Sequence, residues 1–204
     1  MIGGVAHPCT DLLNQRWDLL KIIPHRRQPH EAWWNMKRVN AFIHRTMGKW
    51  VSLALWLAVC FAAAGMGSWI TAPALRDWYP ALRKPPWTPP DAIFAPVWTL
   101  LYLAMAIAAW LVWEQRDSEE VALPLSLFAI QLILNVAWSA IFFGLHSTGG
   151  GAIEIVVLWF AITATWLAFR RATAFASWLL LPYLGWVTFA AALNFAVWQL
   201  NHSL

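Results

Sequence analysis

The stretch "QLILNVAWSAIFFG", residues 131–144, decides the fold. It contains no charged residue, and one helix face carries positions i, i+4, i+7 and i+11, which are Gln131, Asn135, Trp138 and Phe142. Two amide side chains facing lipid would be costly, so we expect this face to point into the interior of a helix bundle. The stretch therefore predicts a membrane-spanning helix with one partly polar face.

The rest of the chain has the composition of a polytopic membrane protein. Of its 204 residues, 60% are hydrophobic and only 12% are charged, whereas soluble domains carry about 25% charged residues. Several apolar runs approach or exceed the roughly 17–25 residues that a spanning helix requires, namely 50–70, 93–113, 121–143, 152–169 and 175–198. The links between most of them are short, and the "GGG" at 149–151 is predicted as a turn. The expected fold is an all-α membrane protein, a five-transmembrane-helix bundle.

Residues 1–46 differ from residues 47–204, so we divide the chain into an N-terminal extension and a five-helix transmembrane domain. Within the extension, "DLLNQRWDLLKII" at 11–23 places apolar residues at helical spacing. It predicts either an interfacial amphipathic helix or a tail with little order. The basic residues of the extension favour a cytoplasmic N-terminus and contact with anionic lipid rather than with nucleic acid. The expected location is a bacterial cell membrane.

Two further spans carry stripes that combine aromatic side chains with polar or small ones. They are Trp98, Tyr102, Met105 and Ala109 in the second span, and Trp186, Ala190, Leu193, Asn194 and Val197 in the fifth. Together with the face of the third span, they predict a mostly apolar, flat-sided cavity with a few hydrogen-bonding groups. The alternative is that the amides only hold helices together, at about 1 kcal/mol each.

The stretch "KPPWTPP", residues 84–90, lies between the first two spans. Its prolines fix φ and remove backbone donors, so the segment is stiff and cannot continue either helix. A stiff aromatic loop can cover the mouth of a bundle at a small ordering cost, whereas a simple spacer would not need aromatic residues. We interpret it as a lid formed by Trp78, Tyr79, Lys84, Pro85, Trp87, Pro89 and Pro90.

No residue pattern in the spans indicates hydrolytic or metal chemistry. We find no nucleophile–histidine–carboxylate set, no metal-ligand cluster and no histidine in mid-membrane that could bind a haem iron. Glu154 is an intramembrane carboxylate and so a functional candidate, but its position near the start of the fourth span favours a structural role there. Ala140 and Gly144 have the spacing of small residues at close helix contacts and predict either a homodimer interface or packing within the bundle.

Three stretches together resemble the TspO/MBR family of tryptophan-rich sensory proteins: "WYPALRKPPWTPPDAIFAPVWTLLY" at 78–102, "QLILNVAWSAIFFG" at 131–144 and "PYLGWVTFAAALNF" at 182–195. The resemblance runs from about residue 47 to the C-terminus. It implies a five-helix bundle, often dimeric, that binds porphyrins such as protoporphyrin IX and requires no cofactor. The family's ligand-binding positions correspond here to Phe94, Trp98, Tyr102, Asn135, Trp138, Ser139, Trp186, Ala190 and Leu193.

Two departures from animal members of the family predict weaker recognition of sterols and of synthetic ligands. Phe195 and Gln199 stand where the sterol-recognition segment has a tyrosine and a basic residue, and Gly150 stands where those members have a tryptophan. The leading hypothesis is a tetrapyrrole-binding sensor, sequestering or transport factor in stress or tetrapyrrole regulation. The alternatives are light- and oxygen-dependent porphyrin degradation using Trp138 and Trp186, and a structural or regulatory partner that does not need the cavity.

Overall fold

The computed structural model describes the backbone of residues 29–202 and the side chains of residues 47–202. The amphipathic helix predicted at 11–23 lies outside the described residues. The chain divides into two compact units, Met1–Gly48 and Lys49–Leu204, and the account below concerns the second unit.

The described part of the chain is built from helices. They are α1 (Pro29–Ala74), the short α2 (Trp78–Ala81), α3 (Asp91–Trp113), α4 (Ala122–Ser139, continued by a π-helical turn at Ala140–Gly144), α5 (Thr148–Ala172) and α6 (Ala174–Asn201). Five segments are long and apolar enough to cross a membrane: Met47–Ala74 of α1, then α3, α4 with its π-helical turn, α5 and α6. The predicted fold class is confirmed, and the chain is a multi-pass membrane protein.

The helices extend beyond the predicted spans because terminal turns tolerate polar residues and glycine. The clearest case is α5, where the "GGG" predicted as a turn is helical, so that prediction is wrong. The Ser147 hydroxyl accepts a hydrogen bond of 3.2 Å from the backbone N–H of Gly150. This N-cap satisfies one of the free donors at the helix start. At the other end, Arg170 and Arg171 lie in the last turn, where positive charge stabilises the helix dipole.

Four of the spanning helices form a closed ring. Helix α3 packs against α4, α4 against α5, α5 against α6, and α6 against α3. Buried side chains from all four helices make up the interior of the ring, including Met105, Phe128, Leu158 and Tyr183, which are almost completely inaccessible. Because hydrocarbon surrounds the bundle, association depends on close packing and interhelical hydrogen bonds more than on exclusion of water.

Small residues allow α1 to approach α4 closely. A Cβ atom on Gly67 would lie 3.3 Å from the Ser139 hydroxyl oxygen, and one on Gly144 would lie 3.3 Å from Cγ2 of Ile70. Gly144 therefore serves packing within the chain, one of the two uses that its spacing predicted. The homodimer predicted through Ala140 and Gly144 stays a prediction.

The π-helical turn widens the end of α4. The backbone N–H of Leu145 donates to the carbonyl of Ala140 at 2.8 Å, a bond over five residues. Such turns are rare and occur frequently at functional sites. Here the turn lets both Phe142 and Phe143 contact Trp138, with ring centroids 5.2 and 5.7 Å away.

Candidate functional site

A chain of hydrogen bonds joins three helices in the interior of the ring. The Tyr102 hydroxyl of α3 donates to the side-chain oxygen of Asn135 at 2.6 Å, and the Asn135 amide nitrogen donates to the Tyr183 hydroxyl of α6 at 2.8 Å. All three side chains are buried. Trp98 lies beside this chain, with its ring 5.8 Å from that of Tyr102 and 6.3 Å from that of Tyr183.

A second polar connection lies nearer the start of α5. The Trp138 indole N–H donates to the side-chain oxygen of Asn194 at 3.1 Å, and the Asn194 amide donates to the carbonyl of Thr148 at 2.8 Å. Trp138 is also stacked on Phe142 at an interplanar angle of 17°. Asn194 thus connects the aromatic end of α4 to the first turn of α5, and its polar atoms are satisfied inside the bundle.

An apolar groove of about 340 Å³ lies between α3 and α6. Its lining comes from both helices: Val97, Leu100, Leu101, Pro182, Gly185, Trp186 and Phe189. A Cβ atom on Gly185 would meet no heavy atom within 4 Å, so this glycine leaves the groove open. The groove is open to the surface of the bundle, because Leu100, Pro182 and Gly185 in its lining are exposed. Its volume is at the low end of the range for small-ligand sites.

The lid segment, residues 75–90, contains a feature that the sequence did not predict. Trp78 and Tyr79 belong to the short helix α2, whereas residues 83–90 are non-helical, as the prolines indicated. Trp78 stacks on His146 at a centroid distance of 4.6 Å. His146 itself has a positive φ of 53°, a backbone conformation that is uncommon for residues other than glycine.

Tyr79 lies on the inner side of the lid segment and is buried. The Lys84 ammonium is 4.0 Å from the centre of its ring, which is close enough for a cation–π interaction. Burial, and then the negative charge of Asp91, raises the pKa of Tyr79 above the usual tyrosine value. The residue is therefore a neutral phenol over the physiological pH range.

Two contacts join the lid segment to α6, and a third lies directly after the segment. The side chain of Asn201 bonds both backbone groups of Arg83, accepting from its N–H at 3.0 Å and donating to its carbonyl at 2.9 Å. The Trp87 ring lies 5.9 Å from that of Phe189, a groove residue. Directly after the lid, Phe94 lies 5.8 Å from Trp186, which also lines the groove.

The predicted site residues fall into two neighbouring groups. The first is buried in or packed against the main core and contains Trp98, Tyr102, Trp186 and Ala190. The second, which we call the lid cluster, contains Tyr79, Phe142, Leu193 and Val197, with Phe94 and Trp78 packed against them. Trp138 contacts both groups. Ser139 differs from the rest, because its hydroxyl lies against the position of Gly67 in α1.

Sequence reasoning missed several residues of this region. Tyr183 is three residues before Trp186 and seven before Ala190, so helical spacing could have included it in the stripe of the fifth span. Phe189 and Asn201 carried no such signal, because their roles come from contacts with the distant lid segment. The carboxyl of Glu154 makes no capping bond at the start of α5, where Ser147 supplies the cap.

Comparison with known proteins agrees with this architecture. Residues 56–199 match the model of the TspO/MBR family. The tryptophan-rich protein TspO of Chlorobaculum tepidum is 46% identical over 152 residues, which are 74% of this chain and 96% of that protein. Protein CrtK of Rhodobacter capsulatus is 39% identical over 72% of this chain and 91% of its own length. The translocator protein of Ovis aries is 43% identical over 61% of this chain and 75% of its own length. This chain belongs to the TspO/MBR family.

Proposed function

We propose that this protein binds a flat, hydrophobic tetrapyrrole of the protoporphyrin IX type beneath the lid segment. The observation that carries the proposal is that groove and lid share their aromatic contacts. Phe189 and Trp186 line the groove, and the same two rings contact Trp87 and Phe94. A ligand in the groove would therefore contact Phe189, against which the Trp87 ring of the lid segment packs.

The chemistry of the groove supports a planar apolar ligand. Each aromatic ring that stacks on such a ligand contributes roughly 0.5–1.5 kcal/mol beyond burial. The interior polar groups of Asn135 and Asn194 already have partners. Affinity would thus come mainly from stacking and burial, as in other mostly apolar sites.

Movement of the lid segment would connect binding to a biological output. Opening requires loss of the Asn201–Arg83 bonds and of the Trp87–Phe189 contact. A bound ligand that adds contacts to the closed lid shifts the population toward closure. This coupling would suit a sensor, a sequestering protein or a transport factor in tetrapyrrole or stress regulation.

A glycine pair provides a sharp test of where the ligand binds. Gly185→Leu places a side chain in the groove, whereas Gly65→Leu places one on α1, where a Cβ also meets nothing within 4 Å. We expect the Gly185 variant to lose more than about tenfold in affinity for protoporphyrin IX and the Gly65 variant to bind normally. The measurement is quenching of tryptophan fluorescence in purified, detergent-solubilised protein.

Truncation of an aromatic side chain supplies a graded version of this test. Trp186→Ala removes one stacking partner, so we expect affinity to fall about twofold to tenfold. Normal affinity in both Gly185→Leu and Trp186→Ala would reject the groove as the binding site. Absence of porphyrin binding in the unmodified protein would reject the proposed function itself.

The second candidate function is light- and oxygen-dependent degradation of the bound porphyrin. It requires an oxidisable tryptophan beside the ligand. Trp186 lines the groove, and Trp138 packs against the lid cluster. Illumination of the complex followed by absorbance spectroscopy separates binding from degradation. A bilin-like product from the unmodified protein, but not from Trp186→Phe or Trp138→Phe variants that still bind, would support degradation.

A further inference from the structure

The interior of the bundle contains a carboxyl group that has no described partner. Glu154 is only 8% exposed, and neither of its carboxyl oxygens receives a hydrogen bond within the part of the chain that the structure describes. It lies six residues after the first residue of α5, about 9 Å along the helix axis. Glu154 does not take part in the groove, in the two polar connections or in the lid contacts described above.

Among residues 47–202, no positively charged side chain is buried together with Glu154. Helix α5 packs against α4 and α6. The sequence of α4 and its π-helical turn contains no ionisable residue, and that of α6 contains only Tyr183. The nearest bases on the same helix are Arg170 and Arg171, about 24 Å away along the axis. The other buried ionisable groups among the described residues are Cys60, Tyr79 and Tyr102, which add no positive charge.

An unpaired carboxylate in such a place is strongly disfavoured. Burial of an ion without a partner is among the most costly events in a protein interior, and the group takes up a proton instead. The protonated carboxyl is neutral and is the form that the ligand-free bundle accommodates. Glu154 is thus the one residue of the interior of α4, α5 and α6 whose charge can change at moderate pH, as judged from their sequences.

The turn of α5 that precedes Glu154 packs beside Asn194 of α6. Gly151, one turn earlier on the same buried face of α5, lies so near α6 that a Cβ atom there would be 3.0 Å from the side-chain oxygen of Asn194. Asn194 in turn accepts the hydrogen bond from Trp138. Tyr183 of α6, the helix that packs against α5, hydrogen-bonds Asn135. A negative charge on Glu154 would lie in an apolar interior, where charge effects are only weakly screened.

We propose that Glu154 is an intramembrane proton-binding residue and that its protonation permits anionic ligands to bind. The identity of the ligand rests on the proposed function, because a porphyrin with two propionates is an anion. When Glu154 is protonated, the interior is neutral and accepts the anion. When it is ionised, the Glu154 carboxylate repels the anionic porphyrin. Binding of the porphyrin is therefore accompanied by uptake of a proton by Glu154.

Infrared difference spectroscopy tests the proton site without any ligand. The purified protein is titrated from mildly alkaline to mildly acidic pH, and the carbonyl band of a protonated carboxylic acid is followed. We expect a band that is lost in Glu154→Gln and displaced in Glu154→Asp. The aspartate variant provides the test if the glutamine variant does not fold. Glu119→Gln, at an exposed loop position, is the matched control and should keep the band. An unchanged band in both Glu154 variants overturns the proposal.

Ligand binding at different pH values tests the coupling. For one linked proton, affinity for protoporphyrin IX should fall by up to about tenfold per pH unit above the Glu154 transition. Glu154→Gln should keep the high affinity of acidic pH throughout, and the neutral dimethyl ester of the porphyrin should show no such fall with the unmodified protein. An identical pH dependence in the unmodified protein and Glu154→Gln overturns the coupling. Failure of both porphyrins to bind at every pH overturns the proposed function, while the infrared result still decides the proton site.

Discussion

Replacement of Asn135 by leucine removes the connection among α3, α4 and α6. The side chain makes two interhelical hydrogen bonds, of 2.6 Å with Tyr102 and 2.8 Å with Tyr183. Such bonds in membrane proteins contribute about 0.6 kcal/mol each on average and up to about 1.7 kcal/mol. Loss of both, with two tyrosine hydroxyls left in an apolar interior, should lower the free energy of unfolding by about 1–3 kcal/mol.

Equilibrium unfolding in mixed detergent micelles, followed by circular dichroism, measures this change. A double-mutant cycle with Tyr183→Phe isolates one bond, and we expect a coupling free energy of about 0.6 kcal/mol. Thr99→Val is the control, because the exposed Thr99 hydroxyl bonds only the carbonyl of Ala95 in its own helix at 2.8 Å. We expect this control to leave the stability unchanged.

The stability measurements can refute the interpretation in two ways. If Asn135→Leu is as stable as the unmodified protein, the bonds do not contribute to holding the three helices together. If the effects of Asn135→Leu and Tyr183→Phe are strictly additive, the two side chains act independently. Either result would count against the Asn135–Tyr183 bond as a stabilising contact between α4 and α6.

Further predictions concern the lid segment and the crowded end of the bundle. Asn201→Ala removes both bonds to the Arg83 backbone, so proteolysis of the lid segment should become several-fold faster while the spans stay folded. Gly151→Ala brings a methyl group within 2.8 Å of a phenylalanine side chain and should destabilise the protein by about 1–3 kcal/mol, measured by the same unfolding titration. For Tyr79, whose pKa is raised by burial and then by Asp91, the neutral form favours the closed lid below the unfolded-state pKa. This contribution is lost as the pH rises through the folded-state pKa. Because Asp91→Asn removes the negative charge, tyrosinate absorbance should show that Tyr79 ionises at lower pH in this variant than in the unmodified protein.

The fold could be predicted from the sequence because each span carries its own signal. An apolar run with one polar face specifies both a membrane helix and its orientation, and the buried positions of Gln131, Asn135 and Phe142 agree with that reasoning. The same holds for Tyr102 and Met105 on the second span. Helical periodicity is a property of one segment, so it can be recognised without knowing which helices pack against that segment.

The position of the groove could not be predicted in the same way. It depends on where α3 and α6 separate, and the open space at Gly185 follows from the relative placement of two whole helices. The contact between Asn201 and Arg83 joins residues 118 positions apart. An asparagine near a helix end gives no indication of such a partner.

The wide turn at Ala140–Gly144 has a consequence for alignments of this chain with its relatives. An α-helix advances about 100° per residue, so two consecutive side chains in an unbroken helix point in clearly different directions. Loss of one amino acid from this turn would let the helix close normally and rotate one of the two phenylalanines, Phe142 or Phe143, toward the lipid. A single-residue gap at this point would therefore identify a relative whose aromatic cluster is smaller by one ring.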